Sequence, residues 1–97
     1  MTVTVTVLFP TKSEESDKFH DTLSSVLPDT RAFDGCRSVT THRGLDDPSH
    51  VLLIEEWESR EHYLAYLQWR VETGLLDAIG PMLAGEPATN FYTNTQS

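Results

Sequence analysis

Tyr63, Tyr66 and Arg70 stand at i, i+3 and i+7, a spacing that lays two phenols and a guanidinium along one helical stripe beside a second stripe of Leu64, Leu67 and Val71. An aromatic-polar stripe of this kind can line a pocket and donate hydrogen bonds to an electron-rich ligand. The same side chains also read as amphipathic groups at a core margin with their polar tips in water. Trp57 lies just upstream, sharing strand parity with Val51 and Leu53, where its indole N–H can face a pocket or its ring can simply pack under a helix. Leu67, Trp69, Ile79 and Met82 supply an apolar wall, or equally a core. His62, in the first turn of the same helix, is the nearest group that takes a proton near neutral pH, and a surface role is open to it as well.

Other chemistries find little support. Cys36 is the single cysteine, no H-x-H or H-x-x-x-H pair occurs, and Glu58 with His62 offers only two ligands, so no metal is expected. The five glycines are isolated rather than clustered in a G-x-G pattern, so neither NAD nor ATP is implied, and no cofactor is expected. Glu55, Glu56 and Glu58 read as a solvated strand end. His42 and His50 flank a hairpin, facing each other across it, and His20 belongs to a charged helix.

Positioning these residues falls to one domain, 1–97, because 97 residues suffice for a single modest core. Fifteen acidic residues against seven scattered basic ones give a net charge of -8, which excludes a phosphate-tracking surface and makes nucleic acid a poor partner. The start MTVTVTVLFP lacks a signal peptide's basic end and long apolar run, and no stretch approaches the roughly 20 apolar residues that cross a bilayer, so a cytoplasmic protein without membrane contact is expected.

Thr2 to Phe9 alternates Thr with Val and predicts a strand with Val3, Val5, Val7 and Phe9 on one face. Pro10 stops it. Thr11 to Glu14 fits a capping box opening a helix to about Leu27, with Phe19, Leu23, Val26 and Leu27 buried and Pro28 ending it. Gly35 to Arg43 and His50 to Glu58 predict two strands joined by the turn residues of Gly44 to Ser49. Ser59 caps a second helix to about Thr73, buried through Leu64, Leu67 and Val71 and stopped by Gly74. A short helix over Leu75 to Leu83, interrupted at Gly80-Pro81, precedes a last strand at Ala88 to Thr93. The order is α+β, ferredoxin-like β-α-β-β-α-β, an antiparallel sheet with its helices on one face. Leu52 and Ile54 then face away from the helices, and covering them by sheet-to-sheet pairing predicts a homodimer.

Phe33-Asp34-Gly35-Cys36 leading into the second strand, and Glu55-Glu56-Trp57-Glu58-Ser59-Arg60-Glu61 where the third strand meets the second helix, together resemble the antibiotic biosynthesis monooxygenase family across nearly the whole chain. That resemblance implies a dimeric α+β barrel with a pocket in each subunit, used in several members for oxygenation without metal or flavin. It implies a role in activity for Trp57. At Ala65-Tyr66-Leu67 the chain departs from the A-H-L of many members, and a tyrosine of pKa roughly 10 is a better donor than base, so the histidine role does not transfer directly. The leading expectation is a cofactor-independent monooxygenase acting on a phenolic, quinol or polyketide-type aromatic, with Trp57, Tyr63 and Tyr66 as donors and His62 as substitute base. A non-catalytic small-ligand or interaction module is the alternative, and haem degradation, with Tyr66 or His62 as axial ligand, the third.

Overall fold

A computed structural model describes residues 2–96. Strands β1 (Val3–Pro10), β2 (Cys36–Arg43), β3 (His50–Trp57) and β4 (Ala88–Thr93) form one antiparallel sheet in the order β2-β3-β1-β4. Helices α1 (Ser16–Ala32), α2 (Arg60–Glu72) and α3 (Leu75–Ile79) join them, with short 3-10 turns at Ser13–Glu15 and Gly80–Met82. This is the expected ferredoxin-like order, with the helices on one face of the sheet.

Period-two alternation sets the layers. Val5, Val7 and Phe9 of β1, Val39 of β2, and Val51, Leu53 and Trp57 of β3 are buried against Phe19, Leu23 and Leu27 of α1, Tyr63 and Tyr66 of α2, Ile79 of α3, and Met82. The opposite parity, including the directly paired Leu8 and Leu52 and the neighbouring Ile54, is only partly covered. On that open face Thr4 Oγ1 donates to Glu56 Oε2 at 2.7 Å. The hairpin register sets His42 opposite Leu52, so His42 and His50 do not face each other.

Three local expectations are corrected. Thr11 does not open a capping box: its hydroxyl donates to the Ser49 carbonyl, and its backbone bridges to Leu83, because the chain there is tied to two neighbouring loops. Helix α1 does not end at Pro28 but continues through it to Ala32. Proline removes one i→i−4 hydrogen bond, yet the following turn carries Thr30, which is fully buried and bonded to α2, so tertiary contacts hold the turn that helix propensity alone would lose. Finally, α2 buries Tyr63, Tyr66 and Arg70, whereas Leu64 and Val71 are 48% and 50% exposed. The phenols and guanidinium find polar partners on α1 and the sheet, and their larger apolar bodies outweigh leucine and valine for the inward face.

Where β3 gives way to α2, Ser59 caps the helix as expected, its hydroxyl accepting the His62 backbone N–H at 3.1 Å. Gly35, at φ +90°, carries the chain from α1 into β2 directly under the His62 ring, and its carbonyl accepts from the Glu58 N–H at 2.8 Å. A Cβ there would collide with that ring, whereas Gly74, at φ +84°, has open space around it. Gly35→Ala therefore suffers both left-handed strain and a steric clash and loses more stability than Gly74→Ala, whose cost is strain alone at roughly 1–2 kcal/mol. Urea unfolding of both variants checks the order.

Candidate active site

Between the helix-facing side of the sheet and the three helices lies an apolar cavity of about 260 Å³. Val7, Phe9 and Leu53 form its floor, Leu23, Val26 and Leu27 of α1 one wall, and Tyr63, Tyr66, Leu67 and Arg70 of α2 another, with Ile79 and Thr89 completing it. Small-molecule sites run upward from roughly 300 Å³, so a ligand of one or two fused rings is the scale that fits. Of the residues singled out by sequence, Tyr63, Tyr66, Leu67, Arg70 and Ile79 meet here. Trp57, Trp69, Met82 and His62 do not line the cavity. Trp57 is wholly buried behind it, packed edge-on against Tyr63 at 5.8 Å between centroids. Trp69 stacks outside on Phe33, while Met82 is a core residue.

The group that sequence reading missed is Glu55. It has the parity of Val51, Leu53 and Trp57, so it points under the helices, is 2% exposed, and lines the cavity. Trp57 Nε1 donates to its Oε1 at 2.8 Å. Burial pushes the Glu55 carboxyl above the usual carboxylate range, and the indole hydrogen bond only partly opposes that shift. The available signal was parity, which the acidic run Glu55 to Glu58 obscured. Tyr63, next to it, is pushed up to about 12, first by burial and then by the Glu55 charge, and its hydroxyl is hydrogen-bonded to Thr89. It stays a neutral donor across the physiological range.

Tyr66 belongs to a three-residue network. Arg70 Nε donates to the Tyr66 hydroxyl at 2.9 Å, Arg70 Nη2 donates to Thr30 Oγ1 at 2.9 Å and to the Val26 carbonyl at 2.8 Å, and the two hydroxyls lie 2.7 Å apart. Arg70 thus feeds both oxygens, and a single proton joins them. With Thr30 donating to Tyr66, the Tyr66 proton is left for the cavity that its ring lines.

His62 occupies a different neighbourhood, at the start of α2. Its Nδ1 is 2.6 Å from Ser59 Oγ, and its Nε2 is 3.8 Å from Asp34 Oδ2. The turn at Phe33–Gly35 brings Asp34 beside Glu58 and His62, so their ligand-type atoms lie within 4.8 Å of one another, a third neighbour that the count of two from sequence omitted. Both carboxylates are exposed.

A carboxyl raised by burial favours the folded state while protonated and opposes it once ionised. The penalty is absent below the unfolded value of roughly 4.3, grows as pH rises through the carboxylate range, and is complete above the folded value. Glu55→Gln keeps an acceptor for Trp57 Nε1 and carries no charge. Its stability relative to wild type is flat in acid, rises once pH passes the ordinary glutamate value and levels above the raised folded value, as parallel denaturant titrations from acid to alkaline pH would record.

The sequence model for antibiotic biosynthesis monooxygenases matches residues 2–70, more than half of the chain. None of the curated proteins is similar enough to match it. Among solved structures, one described as an antibiotic biosynthesis monooxygenase has a TM-score of 0.86 at 19% identity, covering 97% of this chain and 99% of that one. A conserved protein of Methanosarcina mazei gives 0.85 at 18%, over 95% and 91% of the two chains. Rv0793 of Mycobacterium tuberculosis gives 0.77 at 22%, over 100% and 98%. Likeness at these identities carries the fold, while the sequence model carries the lineage; on that basis this protein belongs to the antibiotic biosynthesis monooxygenase family.

Proposed function

We propose that the protein is a cofactor-independent monooxygenase for a small phenolic, quinol or polyketide-type aromatic, with Glu55 as the base. The observation that carries this reading is a buried carboxylate on the wall of an apolar cavity whose remaining polar groups include two phenol donors. A phenol or hydroquinone bound there gives its proton to Glu55, and the resulting anion is electron-rich enough to reduce O₂ itself. Every electron that reduces the oxygen then comes from the substrate; one oxygen atom is retained in the product and the other leaves as water. The protein's share is to orient the ring, keep bulk water out, and hold the developing anion with the Tyr63 and Tyr66 hydroxyls. A raised pKa makes Glu55, once ionised, a stronger base than an exposed carboxylate and better matched to a phenol. Trp57 acts through Glu55, fixing the carboxylate with its N–H.

This assignment offers a replacement for the histidine that Tyr66 displaces. His62 is outside the cavity, and the Tyr66 hydroxyl is already engaged by Thr30 and Arg70, so neither favours the haem reading. A non-catalytic binding module is favoured by one fact, that the cavity holds no histidine. We infer further that two copies pair through the open sheet face, which Leu8, Leu52 and Ile54 share with Tyr92, 52% exposed. Leaving such a surface in water forfeits about 25 cal/mol per Å² of apolar area.

Oxygen uptake by the purified, metal-depleted protein, measured against hydroquinones and dihydroxynaphthalenes, tests the chemistry. Glu55→Gln should lower protein-dependent uptake by about 10²–10⁴-fold, the usual worth of a general base, and Trp57→Phe by less. Unchanged uptake in Glu55→Gln would remove the base assignment; ligand binding without uptake anywhere on the panel would favour the binding module. Sedimentation equilibrium should give about twice the 10.9 kDa of the chain, reduced to the single-chain mass by Ile54→Asp with unaltered circular dichroism. A wild-type monomer at micromolar concentration would refute the pairing.

A further inference from the structure

Arg70 carries a charge that no carboxylate in the described structure balances. It is 6% exposed, and the ion pairs of the described residues, Arg37–Glu58, Arg43–Asp17, His50–Asp47 and His62–Asp34, do not include it. Its Nε and Nη2 are spent on three neutral oxygens, of Tyr66, Thr30 and Val26, while Nη1 makes no hydrogen bond to a described residue. Neutral acceptors satisfy donors without cancelling charge, and a buried unpaired cation is costly. Nonetheless the guanidinium is held firmly, by those hydrogen bonds and by the Trp69 and Tyr66 rings, whose centroids lie 4.5 and 5.3 Å from its central carbon.

A fixed cation on the wall of a cavity lined mostly by apolar side chains is a preorganised seat for an anion, and Nη1 is the donor that its hydrogen bonds within the protein leave over. We propose that Arg70 is the anion subsite of this cavity, and that the ligand is an aromatic hydroxy acid whose carboxylate pairs with Arg70. The inference rests on the cavity being a small-molecule site and narrows the proposed substrate to acidic phenols. Glu55, on the sheet side of the same cavity, makes no ion pair with Arg70, so it remains available for the phenolic proton while the carboxylate is held elsewhere. Glu55 apart, the acidic residues behind the net charge of -8 do not line the cavity and oppose an anionic ligand only at long range. At physiological salt that field decays over about 8 Å, and the guanidinium at contact decides.

The test is a binding series by tryptophan fluorescence at neutral pH, using hydroxynaphthoic acids, their methyl esters and the parent naphthols. These compounds share a ring system and differ in the charged group, so the wild-type protein alone separates the two outcomes. The acids should bind at least about tenfold tighter than ester or naphthol, the discrimination of one well-placed ion pair. Arg70→Gln, checked for folding by circular dichroism, should bring the series level, and Arg70→Lys should restore part of the preference. Naphthols that bind as tightly as the acids would overturn the anion subsite and leave the cavity reading standing. Tight binding of the acids without oxygen uptake by their hydroquinone analogues would uphold the subsite and end the oxygenase reading. No binding by any compound would overturn both.

Discussion

Polar groups under the helices of a thin two-layer protein are shielded from bulk water, and leaving one without a partner is costly. Much of what is distinctive here follows from that constraint. The Trp57 indole answers Glu55, the Tyr63 hydroxyl answers Thr89, and Arg70 binds two helices together by donating to Val26 and Thr30 of α1 while it holds Tyr66 of its own helix. A purely aliphatic interior of the same volume would be easier to assemble. The polar partners instead keep a cavity open, because an oriented hydroxyl or guanidinium cannot collapse into a void as a leucine can without breaking its bonds.

The fold was legible because its signals are periodic. The Thr-Val alternation of β1, the apolar centre of β3 and the Ser59 cap each rest on local chemistry that the tertiary structure leaves intact. Errors cluster where two elements meet. Pro28 ends a helix by any local rule, and only the partners of Thr30 on another helix explain why α1 continues. Leu64 and Val71 outrank tyrosine and arginine on a hydropathy scale, yet the inward face of α2 is chosen by which side chains can reach polar groups across the interface. Half of the site was therefore visible in the Tyr63, Tyr66, Arg70 stripe. Glu55 was not, since a glutamate among glutamates carries no mark of burial except its strand parity.

Trp57 illustrates how a residue can matter without touching a ligand. It sits wholly inside the protein, behind the cavity, and its one polar atom is committed to Glu55. Its ring also contacts Tyr63 and Tyr66, so the orientations of the carboxylate and of both phenols converge on a single indole. The geometry of the cavity wall then depends on the packing behind it as much as on the residues that line it.

The turn of α1 beyond Pro28 is secured by Arg70 and Tyr66 reaching over from α2 and by Arg31, whose Nη2 donates to the Val39 carbonyl of β2. Its order thus depends on its ties to α2 and to β2 as well as on its own helix propensity. Because Thr30 is bonded to both Tyr66 and Arg70, the four residues after the proline are coupled directly to how far α1 and α2 stand apart.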